Sequence, residues 1–441
     1  MNIVYLHTHD SGRFLPLYGY GSSMPQLGRL AERGALLRGA FCACPTCSPS
    51  RTALLTGMAP HSAGLLGLAH RGFQLADYSW HLSSFLRSHG YETALCGIQH
   101  EAPDPSMLGY DHLLGGEADS MDKLAPRDVW DRENARAAAA WLREKHDGPF
   151  FLSYGMFATH REFPENDGSV NPDRLTPPWP VADTPENRAD AARYQLSCRQ
   201  ADNCIGILLD ALEETGRMED TVVLYTTDHG PAFPEMKCTL SDAGIGVAAV
   251  LYYPGIPCAG RAVDGLVSQI DLFPTFCELL GLEKPAWLQG KSILPLLERG
   301  EPVNDAIFAG VTYHAAYEPK RCVRTERYKL VRRYDSHLFP VPANIDSSPA
   351  KELLLKSGYL ERTVLDRESL FDLYLDPCER QNRIADPAYA EIYADLSRRL
   401  NRWMEETADP LRDAPDGRVP CPEGACVNRR ECIEPQWDDF E

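Results

Sequence analysis

The chain has 441 residues, of which 44% are apolar and 24% are charged. This composition is typical of a globular protein with a large core, and the length suits one large domain with an appendage or two domains. The formal charge is −19 and no basic stripe occurs, which excludes broad nucleic-acid binding. A small anionic substrate remains compatible with this charge, because a few cations in a cleft can outweigh the field of the whole molecule.

No segment has the pattern of a membrane span, since no run of about 18 consecutive apolar residues occurs. The first ten residues, MNIVYLHTHD, contain neither a basic stretch nor a cleavage site, so no export signal is visible. We therefore expect a cytoplasmic protein that makes no membrane contact. Its 14 cysteines are then expected to be reduced thiols.

Two groups of three cysteines stand close together in the sequence. The groups are Cys42, Cys44 and Cys47 near the N-terminus and Cys421, Cys426 and Cys432 near the C-terminus. Neither group has the two CxxC motifs that are typical of zinc ribbons. For the C-terminal group we predict thiols in a loosely packed segment, with a disulfide or a bound metal as the alternatives.

Four apolar segments are each followed within a few residues by histidine or aspartate. The segments are residues 2–6, 92–97, 150–156 and 221–225, and the polar residues after them include Asp10, His100, His160 and Asp228. Each segment has the length and hydrophobicity of a buried strand. Helical patterns occur between them at 132–145 and 189–215, and this alternation predicts a parallel, doubly wound α/β sheet. Ligands bind beyond the carboxyl ends of such strands, so we expect the four polar clusters to meet in one cleft.

The organisation of the chain changes after about residue 300. Before that point, residues 161–188 are rich in Pro, Asp and Asn and are predicted to form a long loop over the cleft. Beyond it, short strand-like pieces are followed by a helical pattern at 389–404. We predict a main α/β domain at 1–300, a smaller α+β C-terminal subdomain at 301–410 and a Cys- and Pro-rich tail at 411–441.

The most distinctive segment is CSPSRTALLTG at residues 47–57. Pro49 favours the first turn of a helix, so we predict that a helix begins there. A helix N-terminus and the nearby Arg51 would both lower a thiol pKa, which makes Cys47 a candidate reactive thiolate. A buried structural cysteine is the alternative interpretation.

The same segment resembles the signature of the type I sulfatases, in which the cysteine is oxidised after translation to formylglycine. Further landmarks of that family follow in family order: NIV at 2–4, TDHG at 227–230, QIDLFPT at 269–275, RTERYKL at 324–330 and LFDLYLDP at 370–377. Together they cover about residues 1–385. The resemblance implies an alkaline-phosphatase-like fold, with a doubly wound and mostly parallel sheet and a smaller α+β C-terminal subdomain, and it implies sulfatase activity.

The resemblance also implies five catalytic residues. Cys47 would supply the formylglycine, whose hydrate attacks sulfur with one hydroxyl and expels sulfate through the other. Arg51 would hold the hydrate, and Lys237 would neutralise charge on the sulfate oxygens. His100 would accept a proton from the hydrate, and His160 would protonate the leaving group. A packed core histidine is the alternative for both histidines, and a solvated surface position is the alternative for Lys237.

One divalent metal is implied as a Lewis acid. Its inferred ligands are His9, Asp10, Asp228 and His229, with a non-ligating cleft histidine as the alternative for His9. Calcium is the usual ion of the family, but two imidazoles beside two carboxylates would suit manganese or zinc better. Ile98 is a second departure from the family, because it replaces a lysine and so removes one positive charge from the sulfate site.

Residues 40–57 and 317–330 look closest to the branch that contains heparan N-sulfatase (sulfamidase) and bacterial glycan sulfatases. This similarity implies a small sulfated substrate, in particular a saccharide, and a formylglycine-generating maturation enzyme as partners, and it leaves homo-oligomerisation open. His314 would either reach over the cleft towards the rest of the substrate or lie in a surface loop. His7 points along the first strand, and we predict no catalytic role for it.

Three other functions remain open. The first is hydrolysis of a phosphonate or phosphate ester within the same superfamily, which His9, His229 and the missing lysine at Ile98 favour. The second is a non-catalytic pseudoenzyme that binds sulfoglycans, against which the complete catalytic set argues. The third is a thiol-based redox or zinc protein built on the N-terminal cysteine group.

Overall fold

The computed structural model of the chain describes residues 1–21, 23–115 and 126–435. The first ten strands of this part are β1 Asn2–Thr8, β2 Ala35–Leu37, β3 Ala40–Phe41, β4 Glu92–Gly97, β5 His112–Leu114, β6 Phe150–Gly155, β7 Thr221–Thr227, β8 Ala249–Tyr252, β9 Arg261–Val263 and β10 Val267–Ser268. Eight of them form one sheet in the order β5-β4-β6-β1-β7-β8-β2-β9. The strands from β5 to β7 in this order are parallel, whereas β8 runs antiparallel to both of its neighbours. The predicted mostly parallel sheet is confirmed.

The central strands are buried along their whole length. Every residue of β1, β6 and β7 is buried, which is why these strands read as apolar runs rather than alternating patterns. β1 pairs with β6 on one side and with β7 on the other, and His7 stands level with Gly155 and Thr226. The polar residues that follow these three strands therefore start from the same edge of the sheet.

Twelve α-helices occur in the described part of the chain. They are α1 Pro25–Arg33, α2 Cys47–Thr56, α3 Pro60–Ala63, α4 Leu82–Ser88, α5 Arg127–Arg143, α6 Pro185–Glu214, α7 Asp242–Ile245, α8 Leu272–Leu280, α9 Leu294–Arg299, α10 Pro349–Lys356, α11 Tyr359–Arg362 and α12 Ala390–Glu406. Across the described ranges, none of these helices is long and apolar enough to span a bilayer.

Two helices begin earlier than the sequence pattern predicts. α5 begins at Arg127 instead of 132, and α6 begins at Pro185 instead of 189. α6 begins at Pro185 because Thr184 caps the helix. The side chain of Thr184 accepts a hydrogen bond from the backbone N–H of Asn187, and proline occupies the first helical position. Residues 161–184 form the predicted loop, which includes one short 3-10 turn at Pro172–Arg174.

The C-terminal strands form a separate antiparallel sheet. They are β11 Ile307–Tyr313, β12 Tyr317–Arg324, β13 Tyr328–Arg333 and β14 Glu368–Asp372, in sequential order. α12 packs against β12 and β13, and it occupies 390–406 where 389–404 was expected. This confirms the predicted α+β subdomain, while the domain boundaries at 300 and 410 stay a prediction.

A buried ion pair fastens the segment after α12 to this sheet. Arg321 of β12 donates to both carboxylate oxygens of Asp409, at 2.5 and 3.0 Å, and both side chains are almost completely buried. Such bidentate pairs are geometrically specific. The chain that follows α12 is therefore anchored before it enters the tail.

We predict that Asp409→Ala lowers the free energy of unfolding by roughly 3–5 kcal/mol, because it leaves the buried guanidinium of Arg321 without a counter-ion. Urea denaturation followed by circular dichroism measures the change. Asp413→Ala is the matched control, because its partner Arg412 is exposed and the expected change is within about 0.5 kcal/mol. Equal effects of the two substitutions would contradict the prediction.

Candidate active site

The motif cysteine lies at the start of a buried helix. α2 begins at Cys47, two residues before the expected Pro49, because a proline in the first turn of a helix costs no intrahelical hydrogen bond. All residues of α2 are buried. The Sγ atom of Cys47 lies 3.4 Å from Nε2 of His229 and 3.9 Å from Oδ1 of Asp10. The start of α2 therefore meets the polar ends of β1 and β7.

The environment of Cys47 does not favour a thiolate. Burial raises the pKa of this thiol well above its usual range, and the attraction of Lys237 offsets this only in part. Arg51, the cation expected to lower the pKa, is itself paired with Asp228. These surroundings favour the thiol and thus the alternative of a buried cysteine, because burial outweighs the attraction of Lys237 and Arg51.

The cysteine groups form neither disulfides nor shared metal sites in the described part of the chain. None of the 14 cysteines, all of which lie in the described ranges, forms a disulfide. Among the described residues, Cys47 alone of the cysteines belongs to a cluster of three or more His, Cys, Asp or Glu side chains that could bind one ion. The structure thus gives no support to a zinc site on the N-terminal group, and it contradicts a disulfide within the tail.

The carboxylate of Asp228 organises the strand ends. Its Oδ1 accepts hydrogen bonds from the backbone N–H groups of Asp10 and His229, both at 2.9 Å. Its Oδ2 lies 3.0 Å from Nη2 of Arg51 and 3.4 Å from Nδ1 of His9. The predicted site residues of β1, β7 and α2 are thus brought together around one side chain.

Four side chains at this place form a candidate metal centre. One ligand atom from each of His9, Asp10, Cys47 and Asp228 lies within 4.8 Å of the others. Both ring nitrogens of His9 are buried and lack a hydrogen-bond partner among the described residues, which is costly unless an ion is bound there. Burial lowers the pKa of His9, which keeps the imidazole neutral as a ligand must be. The donor set therefore fits a divalent cation.

His229 faces the same centre with one ring nitrogen. Its Nδ1 lies 2.9 Å from the carbonyl oxygen of Gly230, so the N–H donates there. The lone pair of Nε2 is then directed at the cluster, 3.3 Å from Oδ1 of Asp10. This outer hydrogen bond fixes the tautomer that metal-binding histidines use. The metal ligands His9, Asp10, Asp228 and His229 stay a prediction that this geometry favours.

Arg51 has a structural role in addition to its inferred catalytic role, because its guanidinium binds the end of β1. It is buried, donates to the carbonyl oxygen of Thr8 at 3.3 Å and also donates to Nδ1 of His7. Burial lowers the pKa of His7, so this imidazole is neutral and can accept. Arg51 therefore holds the end of β1 and the carboxylate of Asp228 in place. His7 takes part in the site only by accepting from Arg51.

Lys237 is buried between two carboxylates rather than solvated. Its Nζ lies 2.9 Å from Oδ2 of Asp10 and 3.3 Å from Oδ1 of Asp346. Burial lowers the pKa of Lys237, but the two carboxylates outweigh burial and raise the pKa well above its usual range. Asp346 was missed in the sequence because it lies in a loop without a motif. The surface alternative for Lys237 is wrong.

His100 and His160 lie against His9. The ring centroids are 4.8 Å and 5.3 Å from that of His9, and Nε2 of His160 is 3.8 Å from Oδ2 of Asp10. His160 retains a quarter of its side-chain exposure, so it marks the open side of the site. Burial lowers the pKa of both histidines. Ile98 packs in an apolar cluster with Trp130 and Phe157, so this position contributes no charge to the site.

Two further histidines approach the site from separate loops. The ring of His70 lies 5.8 Å from that of His100. His314 is buried, and after burial itself the charge of Lys237 is the main influence that lowers its pKa. The surface-loop alternative for His314 is therefore wrong. His70 could not be found from the sequence, because it lies outside every strand-end pattern.

Comparison with known proteins identifies the family. Residues 1–282, more than half of the chain, match the family model described as Sulfatase. The chain belongs to the sulfatase family. Residues 237–340 also match the model described as N-sulphoglucosamine sulphohydrolase, C-terminal. This sulfatase is thus a hydrolase of sulfate esters or N-sulfates, as the sequence motifs predicted.

Individual relatives agree with this assignment. Human N-sulphoglucosamine sulphohydrolase is 28% identical over 89% of this chain and 87% of its own length. The solved structure of a 2-O GAG sulfatase has a TM-score of 0.72 at 22% identity, over 94% of both chains. That of a phosphonate monoester hydrolase from Agrobacterium radiobacter has a TM-score of 0.70 at 21% identity, over 92% of this chain and 96% of its own. The predicted alkaline-phosphatase-like fold is confirmed.

We predict that His9→Ala lowers the affinity of the protein for a divalent cation by more than the roughly 10–100-fold that loss of an outer-sphere partner costs. The reason is that His9 offers a neutral, unpartnered nitrogen to the cluster. Equilibrium dialysis with elemental analysis measures the affinity. His112→Ala on β5 is the control, since its imidazole pairs with Glu92 away from the cluster. Unchanged affinity in His9→Ala would remove His9 from the ligand set.

Proposed function

We propose that this sulfatase removes sulfate from a saccharide, with a formylglycine derived from Cys47 and one divalent cation. The observation that carries the proposal is the position of Cys47, whose Sγ faces Asp10 and His229 at the start of a buried helix. When present, the hydrated aldehyde supplies a nucleophilic hydroxyl and the cation supplies Lewis acidity. The other tasks belong to side chains already in place.

Lys237 and His160 are suited to the two groups that separate in the reaction, the sulfate and the leaving alcohol or amine. Lys237 stays protonated beside Asp10 and Asp346, so it can neutralise charge on the sulfate oxygens without reorganisation. His160 lies at the exposed side, where the leaving alcohol or amine would depart. We propose that it donates a proton there. His100 has a buried Nδ1 without a partner among the described residues and is the proposed acceptor of the proton from the nucleophile.

The charge balance of the centre favours a singly charged substrate. Three carboxylates, of Asp10, Asp228 and Asp346, face the two cations Arg51 and Lys237. A divalent cation would leave this set with one positive charge. A sulfate monoester carries one negative charge, whereas a phosphate monoester near neutral pH carries almost two, because its second pKa is about 6. This argument supports a sulfate ester over a phosphate monoester.

The donor set supports manganese or zinc over calcium as the cation. Calcium prefers six to eight oxygen ligands, while His9 and His229 offer nitrogen. Imidazole suits zinc, and carboxylate suits manganese. We propose that one of these two ions is the resident metal.

A sulfated saccharide is the proposed substrate class. The C-terminal match, residues 237–340, includes both Lys237 and His314, and it belongs to a family named for N-sulphoglucosamine. The human relative carries the same name. Both O-sulfates and N-sulfates fit the chemistry described here, since the leaving group in either case is protonated on the open side.

Phosphonate monoester hydrolysis is the second candidate function. A phosphonate monoester also carries one negative charge, so the charge balance does not oppose it. The nitrogen ligands and the apolar Ile98 favour this alternative. Phosphate monoesters are less compatible on the same argument.

We predict that mass spectrometry of the tryptic peptide covering residues 39–51, from protein made in its native host, finds Cys47 converted to formylglycine. The peptide also contains Cys42 and Cys44, whose unmodified thiols serve as an internal control. Cys47→Ala should lower kcat by about 10⁶-fold, the loss that follows removal of a catalytic nucleophile. Cys378→Ala is the matched variant, because this cysteine is exposed and outside the cluster. An unmodified Cys47, or retained activity in Cys47→Ala, would sink the proposed mechanism.

We also predict the order of substrate preference. At equal concentration, kcat/KM should be highest for a sulfated sugar, intermediate for a phosphonate monoester and lowest for a phosphate monoester, because the last brings an extra negative charge next to three carboxylates. Release of sulfate, alcohol or phosphate is measured on matched leaving groups. A higher kcat/KM for the phosphonate than for every sulfate ester tested would replace the first candidate function by the second.

A further inference from the structure

The C-terminal tail contacts a loop that borders the site. We call residues 417–434 the strap. Tyr313, at the end of β11, donates to the carbonyl oxygen of Val419 at 2.6 Å. Tyr317, at the start of β12, donates to Gly417 and accepts from the backbone N–H of Val419 at 2.8 Å. Both ends of the turn that bears His314 are thus bound by the strap.

The strap then contacts the middle of the same turn and a second loop. The backbone N–H of Asn428 donates to the carbonyl oxygen of Ala315 at 2.8 Å. Its side-chain Oδ1 accepts from Nη1 of Arg71 at 2.9 Å, and the backbone N–H of Cys426 donates to the carbonyl oxygen of Arg71 at 2.7 Å. Asn428 is fully buried. It therefore joins the His314 turn to the loop that bears His70.

The end of the strap reaches the start of α10, which carries Lys351, and the third loop, which precedes α10. Nζ of Lys351 lies 2.9 Å from Oε1 of Glu434 and donates to the carbonyl oxygen of Ile433 at 2.6 Å. Ser347 also donates to Glu434. The side chain of Lys351 is buried, so this ion pair is exposed to solvent only at Glu434. The third loop carries Asp346, the partner of Lys237.

The three loops each carry an ionisable side chain. Two of these contact the site already described, since His70 lies beside His100 and Asp346 pairs with Lys237. The third, His314, is buried in the turn that the strap binds at both ends. None of these three side chains belongs to the strand-end cluster of His9, Asp10, Cys47 and Asp228. They come from distant parts of the sequence, and within the described chain the strap is a segment that hydrogen-bonds to all three loops.

We propose that the strap is a positioning segment that fixes the wall of the cleft recognising the saccharide part of the substrate. This inference rests on the proposed function. His70, His314 and Asp346 form that wall, and they hydrogen-bond hydroxyl or amine groups of the sugar. The strap acts through them and touches no reacting atom. Its contacts set the distances between the three loops, so loosening the strap at Asn428, away from the Lys237–Asp346 pair, weakens sugar binding and leaves the chemistry at sulfur unaltered.

The test compares Asn428→Leu with Asn428→Asp. The leucine variant removes the acceptor for Arg71 at similar size, and the aspartate variant restores an acceptor. Glu423→Gln, an exposed change within the strap, is the control. Lys351→Met removes the contact between α10 and the end of the strap independently and serves if Asn428→Leu does not fold. The measurements are KM and kcat for a sulfated sugar and for a small aryl sulfate, together with hydrogen exchange of the three loops.

We expect Asn428→Leu to raise KM for the sulfated sugar about tenfold, the effect of one lost hydrogen bond to a charged group, with kcat and the aryl sulfate unaffected. Asn428→Asp should recover most of this loss, and hydrogen exchange should rise in all three loops. Equal losses on both substrates, or faster exchange in the tail alone, would overturn the inference. If the unaltered protein hydrolyses neither substrate, the proposed function fails, while sugar affinity of Cys47→Ala with and without Asn428→Leu still decides the role of the strap.

Discussion

The carboxylate of Asp228 is the point on which the rest of the site depends. One of its oxygens receives the backbone N–H groups that follow β1 and β7, and the other faces the guanidinium that α2 carries. Three segments far apart in sequence are therefore fixed relative to one another by a single side chain. The backbone of Asp10 has a φ of 39°, a left-handed conformation that such surrounding contacts must stabilise. Without this carboxylate, Arg51 would be a buried cation with no counter-ion.

The charge of the cleft comes from side chains that keep one protonation state near neutral pH, and not from histidines that gain or lose a proton there. Burial lowers the pKa of His7, His9, His100 and His314, so these imidazoles are neutral at neutral pH. The cations are an arginine and a lysine whose carboxylate partners keep them protonated. Such a site needs little reorganisation when charge develops on a substrate oxygen, which is the condition for effective electrostatic catalysis. The neutral histidines can therefore serve in the proposed roles of metal ligand and proton carrier.

Those features that follow from local pattern could be predicted from the sequence. Apolar runs that end in His or Asp indicated the strands and the cleft, because parallel strands share one carboxyl edge. The start of α6 was placed late because polarity near its N-terminus hid the capping role of Thr184. Asp346 and His70 lie in loops that only tertiary packing brings to the cleft, so neither periodicity nor spacing could reveal them. The pKa of Cys47 depends on its burial and on its charged neighbours, including Arg51, which pairs with Asp228. Neither the burial nor this pairing can be read from the sequence.

The complete burial of α2 also limits when Cys47 could be modified. An enzyme that carried out the proposed oxidation of Cys47 would have to take this thiol into its own active site. The folded chain leaves Cys47 only 3% exposed, within a helix that is buried at every position. Reaching it would mean separating α2 from the ends of β1 and β7. On the proposed function, oxidation would therefore have to precede folding, and a molecule that folded first would keep its thiol.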